Sequence, residues 1–104
     1  MTLAELKKIL DATGYPVAYS HFKEAKTPPF IVYLVEGSSN FMADNKVFQK
    51  VSDVRIELYT TKKDLVAENK LETALDENEI PYDSDEVFID SEQLFQKIYE
   101  VRLI

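Results

Sequence analysis

Cysteine is missing from all 104 residues, and so is tryptophan. Without a thiol there is no disulfide, no thiolate metal site and no Cys nucleophile; the absence fits a reducing compartment, where no staple is expected. Glycine occurs only at Gly14 and Gly37, too sparsely for a phosphate-cradling loop of the usual form. The lone histidine, His21, would have to draw any fellow metal ligands from carboxylates, and its ordinary reading is a half-exposed strand residue. The longest apolar run, Phe30 to Val35, falls far short of a membrane span. The opening Met1-Thr2-Leu3-Ala4-Glu5-Leu6-Lys7-Lys8 carries charge where a signal peptide would be apolar. No serine sits in a nucleophile elbow. The expectation is a protein without catalytic residues, cofactor, metal or membrane span.

What is present is acid. Lys and Arg total 12 against 19 Asp and Glu, a formal charge of −7. Specific nucleic-acid binding is not expected, because it rests on phosphate neutralisation by a basic surface. The pairs Lys7-Lys8 and Lys62-Lys63 read as solvated helix faces. The acidic stretch Asp83, Asp85, Glu86, Asp90 and Glu92 begins like a calcium loop. However, Phe88 stands where the sharp turn needs glycine, so a solvated acidic edge is the expectation. Acids at an edge strand also discourage stray pairing.

The length suits one domain spanning residues 1–104, and 45% apolar residues can fill one core. A first helix is predicted from Leu3 to Ala12, capped by Thr2 with Glu5 and closed by Gly14 and Pro16. A short strand follows near Val17 to Phe22, and a second from Phe30 to Val35. The third strand is long, from Lys46 to Thr60. Val54, Ile56 and Leu58 share one parity, whereas Val47 and Val51 take the other, so one register cannot bury them all. Either a bulge near Ser52-Asp53 switches faces, or the distal half projects as a ribbon; the second is preferred. A second helix is predicted from Lys62 to Asn78, with Thr61 and Asp64 as its cap and Ala67, Leu71, Ala74, Leu75 and Asn78 inward. Val87-Phe88-Ile89 reads as a fourth strand and Gln93 to Leu103 as a fifth, with a helical start at Ser91 as the alternative. The fold class is α+β: a mostly antiparallel sheet of about five strands with two helices on one face, in the order α-β-β-β-α-β-β.

The segment Gly37 to Lys46 is the most informative. A ten-residue connection is long for a hairpin and such loops tend to be functional. It carries Phe41 and Met42, apolar side chains that water does not suit. The strand Phe30 to Val35 is apolar on both faces, so it needs cover on both. Tyrosine and phenylalanine, six of each, exceed what a small core needs, and tyrosine favours half-wet interfaces. The candidate interface residues are Phe30, Val32, Phe41, Met42, Val47, Phe48 and Val51.

With these residues in view, the chain resembles the small tail-completion (tail-terminator, or head–tail joining) proteins of long-tailed phages and prophages of Gram-positive bacteria. The resemblance rests on the short opening helix, Gly14-Tyr15-Pro16-Val17-Ala18-Tyr19, Pro28-Pro29-Phe30-Ile31-Val32-Tyr33, the polar loop, Val54 to Tyr59, Asp64 to Leu75, Ile80-Pro81-Tyr82 and a long final strand. It is a likeness of pattern over nearly the whole chain. It implies an α+β protomer made in the bacterial cytoplasm that forms a homo-oligomeric ring, commonly a hexamer, at the head-proximal end of the virion tail. Tail tube protein and head-connector proteins would be its partners. The loop Gly37 to Lys46 would be mobile in the free protein, and no catalytic residue carries over. DNA would pass through the ring, and an acidic lumen would keep phosphates from sticking. Three other readings compete: an acidic inhibitor or DNA mimic, a small-ligand-binding α+β module, and an α+β domain of other role. A DNA mimic needs carboxylates arrayed along one surface; a ligand module needs a concave pocket with convergent polar groups.

Overall fold

The computed structural model describes residues 1–104, the side chain of Phe48 excepted; that candidate interface residue lies outside the described residues. The chain runs α1 (Leu3–Asp11), β1 (Val17–Tyr19), β2 (Phe30–Ser38), β3 (Phe41–Ala43), β4 (Lys46–Gln49), β5 (Ser52–Thr60), α2 (Leu65–Glu77), β6 (Asp83–Ile89) and β7 (Leu94–Leu103). Five strands form one sheet in the order β1-β2-β5-β7-β6, and β3 with β4 makes a separate two-stranded ribbon. All pairings are antiparallel except β1 with β2. The fold is the α+β architecture expected.

The helices begin where side chains can satisfy free amides. Thr2 and Glu5 form the reciprocal capping box of α1. At α2 the expected boundary is corrected: the helix starts at Leu65, not Lys62, because Asp64 itself is the N-cap and accepts from the Ala67 amide at 3.0 Å. The first strand is also shorter than expected. Ser20 turns to a φ of 67° and the His21 amide bonds the Tyr19 carbonyl, which takes the chain out of the sheet after Tyr19. The Pro28–Pro29 bond before β2 is cis.

Both helices pack on one face of the sheet. Leu6 and Leu10 of α1 and Ala67, Leu71 and Leu75 of α2 meet the inward parity of the strands, including Ile31, Val54, Ile56 and Tyr99. The expected inward stripe of α2 holds for Ala67, Leu71 and Leu75, whereas Asn78 is exposed. Glu68, expected outward, is buried at 7% exposure, its carboxylate held by Lys63 at 2.9 Å and Lys97 at 3.7 Å. A buried carboxylate is tolerable only when paired in this way.

The second face carries no helix. Aromatics cover its β1 end: Phe22 meets Phe30 edge-on at 5.5 Å, and Phe30 stacks on Tyr59 at 5.0 Å. Val32, Glu57 and Ile98 lie in one cross-strand row beside them. Burial along β2 fades toward its C-terminal end, from Ile31, Val32 and Tyr33 to exposed Val35 through Ser38. The two-sided burial expected for Phe30 to Val35 therefore belongs to its centre.

Candidate functional site: a projecting ribbon

The ribbon is an extension of β2 and β5 past the end of the sheet. Its register begins where theirs stops. The last sheet pair is Ser38 with Ser52, and the β2 ladder shifts by one residue between Val35 and Gly37. Beyond it, the Ser39 amide bonds the Val51 carbonyl at 3.0 Å, and the Val51 amide bonds Asn40 Oδ1 at 2.8 Å. Ser39 Oγ also donates to Asp53 Oδ2 at 2.7 Å. These three bonds fix the root of the ribbon while its strands stand clear. The molecule is accordingly long, 49 Å against 29 and 24 Å in its other dimensions.

At the tip, Asp44 and Asn45 have φ values of 51° and 63°. Two consecutive left-handed residues make the tight turn whose twist suits a two-residue hairpin, and Asp and Asn are the side-chain-bearing residues that adopt it most readily. This corrects the expected loop from Gly37 to Lys46. Gly37 and Ser38 extend β2, Phe41–Ala43 is a strand, and only short connections remain irregular. The two opposite parities of the long third strand are resolved as expected, by a ribbon that leaves the sheet at Lys50-Val51.

Phe41 is 65% exposed, Met42 68% and Val47 41%. Met42 and Val47 are cross-strand partners and so share one face of the ribbon. Val32 and Val51, placed with them in the sequence reading, are buried within the protomer at 5% and 3% exposure. Phe30 is half-buried in the aromatic stack with Phe22 and Tyr59. The structure thus brings Phe41, Met42 and Val47 together on the ribbon and sets Phe30, Val32 and Val51 apart from them. The turn at Asp44-Asn45 was the available signal for a hairpin that the sequence reading passed over.

Among the described residues, His, Asp and Glu side chains form no group of three or more suited to a metal ion. His21 is exposed, with Nδ1 3.2 Å from Ser20 Oγ. A depression of about 650 Å³ at the ribbon end of the sheet is lined by Glu36, Asp53, Asp83, Glu100 and Arg102 together with Tyr82. A second, of about 680 Å³, runs beside α2 along Leu65, Glu68 and Lys97. The first mixes four carboxylates and Arg102 with apolar Val54, Pro81, Tyr82 and Val101. No described helix is long and apolar enough to cross a membrane.

Buried hydroxyls hold the two sides of the sheet. On the open face Gln96 Nε2 donates to Tyr59 Oη at 2.8 Å and Tyr59 donates to Glu57 Oε1 at 3.0 Å. Arg55 Nε lies 2.7 Å from Glu57 Oε2, an ion pair by distance, although its N–H is not aimed at that oxygen. On the helix face Tyr99 and Tyr82 both donate to Glu72, at 2.7 and 3.3 Å. Burial raises the pKa of the Tyr33, Tyr59, Tyr82 and Tyr99 phenols, with Glu57 adding to the effect at Tyr59 and Glu72 at Tyr82 and Tyr99; Tyr59 is pushed up to about 12. A phenol that holds its proton more tightly when folded favours folding below pH 10, and that contribution is lost as pH rises from 10 through the folded value. The phenolate absorbance of these four tyrosines, out of six in the chain, is therefore expected to appear late and together with unfolding when the protein is titrated above pH 10. A smooth titration of all six tyrosines near pH 10 with the fold intact would show these four hydroxyls to be solvated.

No protein-family model matches the chain, and no curated protein matches it.

Proposed function

We propose that this chain is a structural protein of a long-tailed phage or prophage that caps the head-proximal end of the tail tube as a ring and forms part of the head–tail joint. The observation that carries this reading is the ribbon: a two-stranded element with exposed Phe41, Met42 and Val47, rooted on a rigid α+β domain. An isolated two-stranded hairpin is marginal in water, and apolar side chains at its tip gain from being covered. Assembly against tail tube protein, connector proteins and further copies supplies that cover. The DNA-mimic reading is less well supported, because several acids are engaged internally: Glu57 with Arg55, Glu68 with Lys63 and Lys97, Asp53 with Arg102.

Light scattering over a wide concentration range, followed by negative-stain imaging with and without purified tail tubes, tests the proposal. The expected result is a closed ring, commonly a hexamer, or density added at one end of each tube. A chain that neither closes into rings nor binds tubes overturns it.

A further inference from the structure

The ribbon has a counterpart on the same molecule. β6 is the outer strand of the sheet, bonded to β7 on one side only, so its other edge presents unpaired backbone groups. One of them shows the vacancy directly: the Glu86 amide takes Asp85 Oδ1 at 2.8 Å in place of a neighbouring strand. Asp83 through Phe88 are all exposed, and the edge divides into an acidic half, in which Asp83 and Asp85 are free of ion pairs among the described residues whereas Glu86 is held by Lys63 at 2.7 Å, and an apolar half in which Val87 and Phe88 are each 43% exposed, Phe88 resting on Phe95. Acids alone blunt an edge, but exposed Val and Phe beside them invite a strand. The opposite edge of the sheet, β1, offers three residues and is closed off by the turn at Ser20.

The ribbon is complementary in both respects. In a chain of net charge −7, residues 40–50 carry Lys46 and Lys50 against the single acid Asp44, and they add exposed Met42 and Val47. The ribbon cannot reach its own β6. It continues β2 and β5 outward beyond Ser38 and Ser52, whereas β6 runs back from Asp83 in the other direction along β7.

We infer that the β3–β4 ribbon of one copy pairs with the β6 edge of a second copy, setting the ribbon lysines against Asp83 and Asp85 and the face that carries Met42 and Val47 against Val87, which shares the Asp83–Asp85 face of β6. Strand addition satisfies the free backbone groups of both elements, and the side chains select the partner. The contact joins two different patches, so repeated copies extend head to tail and close when the rotation permits. This deepens the ring reading above and rests on it.

The cysteine-free chain makes the test clean. M42C and V87C proteins, each made alone, are mixed and treated with a short bismaleimide, which tolerates a slip in register. The expected product is a covalent heterodimer in clear excess over that from M42C mixed with E24C, an exposed position on the far loop. K46E/K50E and D83K/D85K, placed separately in both members of the pair, should each reduce association about tenfold or more, as like charges meet. The two sets combined across the contact should restore it, which loss of folding cannot imitate. Equal yields from V87C and E24C, or charge reversals without rescue, overturn the pairing. Rings that form normally without an M42C–V87C link overturn the pairing and leave the ring reading standing. Absence of rings and of tube binding removes both.

Discussion

A Phe41→Asp, Met42→Asp variant is expected to fold like the parent and to fail in assembly. The two side chains are 65% and 68% exposed, so their removal withdraws little packing from the protomer. Surface substitutions of this kind usually change stability by no more than about 0.5 kcal/mol. The features that hold the ribbon in place lie elsewhere: the Asn40 and Ser39 bonds to Val51 at its root and the left-handed turn at Asp44-Asn45 at its tip. Two carboxylates placed on the apolar surface would have to be desolvated by any partner that covers it, a cost of several kcal/mol for unpaired charge. Circular dichroism and thermal melting should match the parent, while light scattering should report monomer and tail-tube binding should vanish. Normal rings or normal tube binding from this variant would remove the ribbon from the mechanism.

The local signals that proved legible were those with a direct physical cause. Thr2 and Glu5 announce the first helix, and the Val54-Ile56-Leu58 alternation announces the central strand that both β2 and β7 flank. The parity conflict between Val51 and Val54 required a break, and the structure supplies one between the ribbon and the sheet. Less legible was anything settled by tertiary contact. Glu68 looks like a solvated helix residue until Lys63 and Lys97 are brought to it from the segment before α2 and from β7. Val32 sits in a run apolar on both faces and Val51 on the parity opposite to Val54, which makes both look like interface residues, yet the protomer buries both. The hairpin turn escaped notice because it uses Asp44-Asn45 without the glycine that usually marks such turns. The candidate site was thus half legible. The sequence exposes Phe41 and Met42 as misfits in a polar segment, but only the backbone register pairs Met42 with Val47 and shows β6 to be an unpaired edge.

Tyr99→Ala is expected to be the most destabilising single truncation of this kind, at about 3–5 kcal/mol. Tyr99 heads the large side chains that are fully buried, on β7 between β5 and β6, where its ring meets that of Tyr82 at 5.3 Å and nearly at right angles. Its hydroxyl reaches the Glu72 carboxylate at 2.7 Å, which ties α2 to the sheet. Truncation opens a cavity beneath the helix and also takes from Glu72 its shorter hydroxyl donor. Domains of this size have only about 5–15 kcal/mol in total, so the variant should unfold at markedly lower temperature or denaturant concentration. Tyr99→Phe separates the two contributions: it keeps the ring and removes the bond, and should cost about 1.5–3 kcal/mol, the range for a hydrogen bond to a charged group. Adding Glu72→Gln to Tyr99→Phe should cost less than the two single changes together, because they remove one shared interaction. Chemical denaturation of all four proteins measures this. Strict additivity would mean that the hydroxyl and carboxylate act independently, and that α2 is held by its apolar stripe of Ala67, Leu71 and Leu75 and by Glu68 without help from Tyr99 Oη.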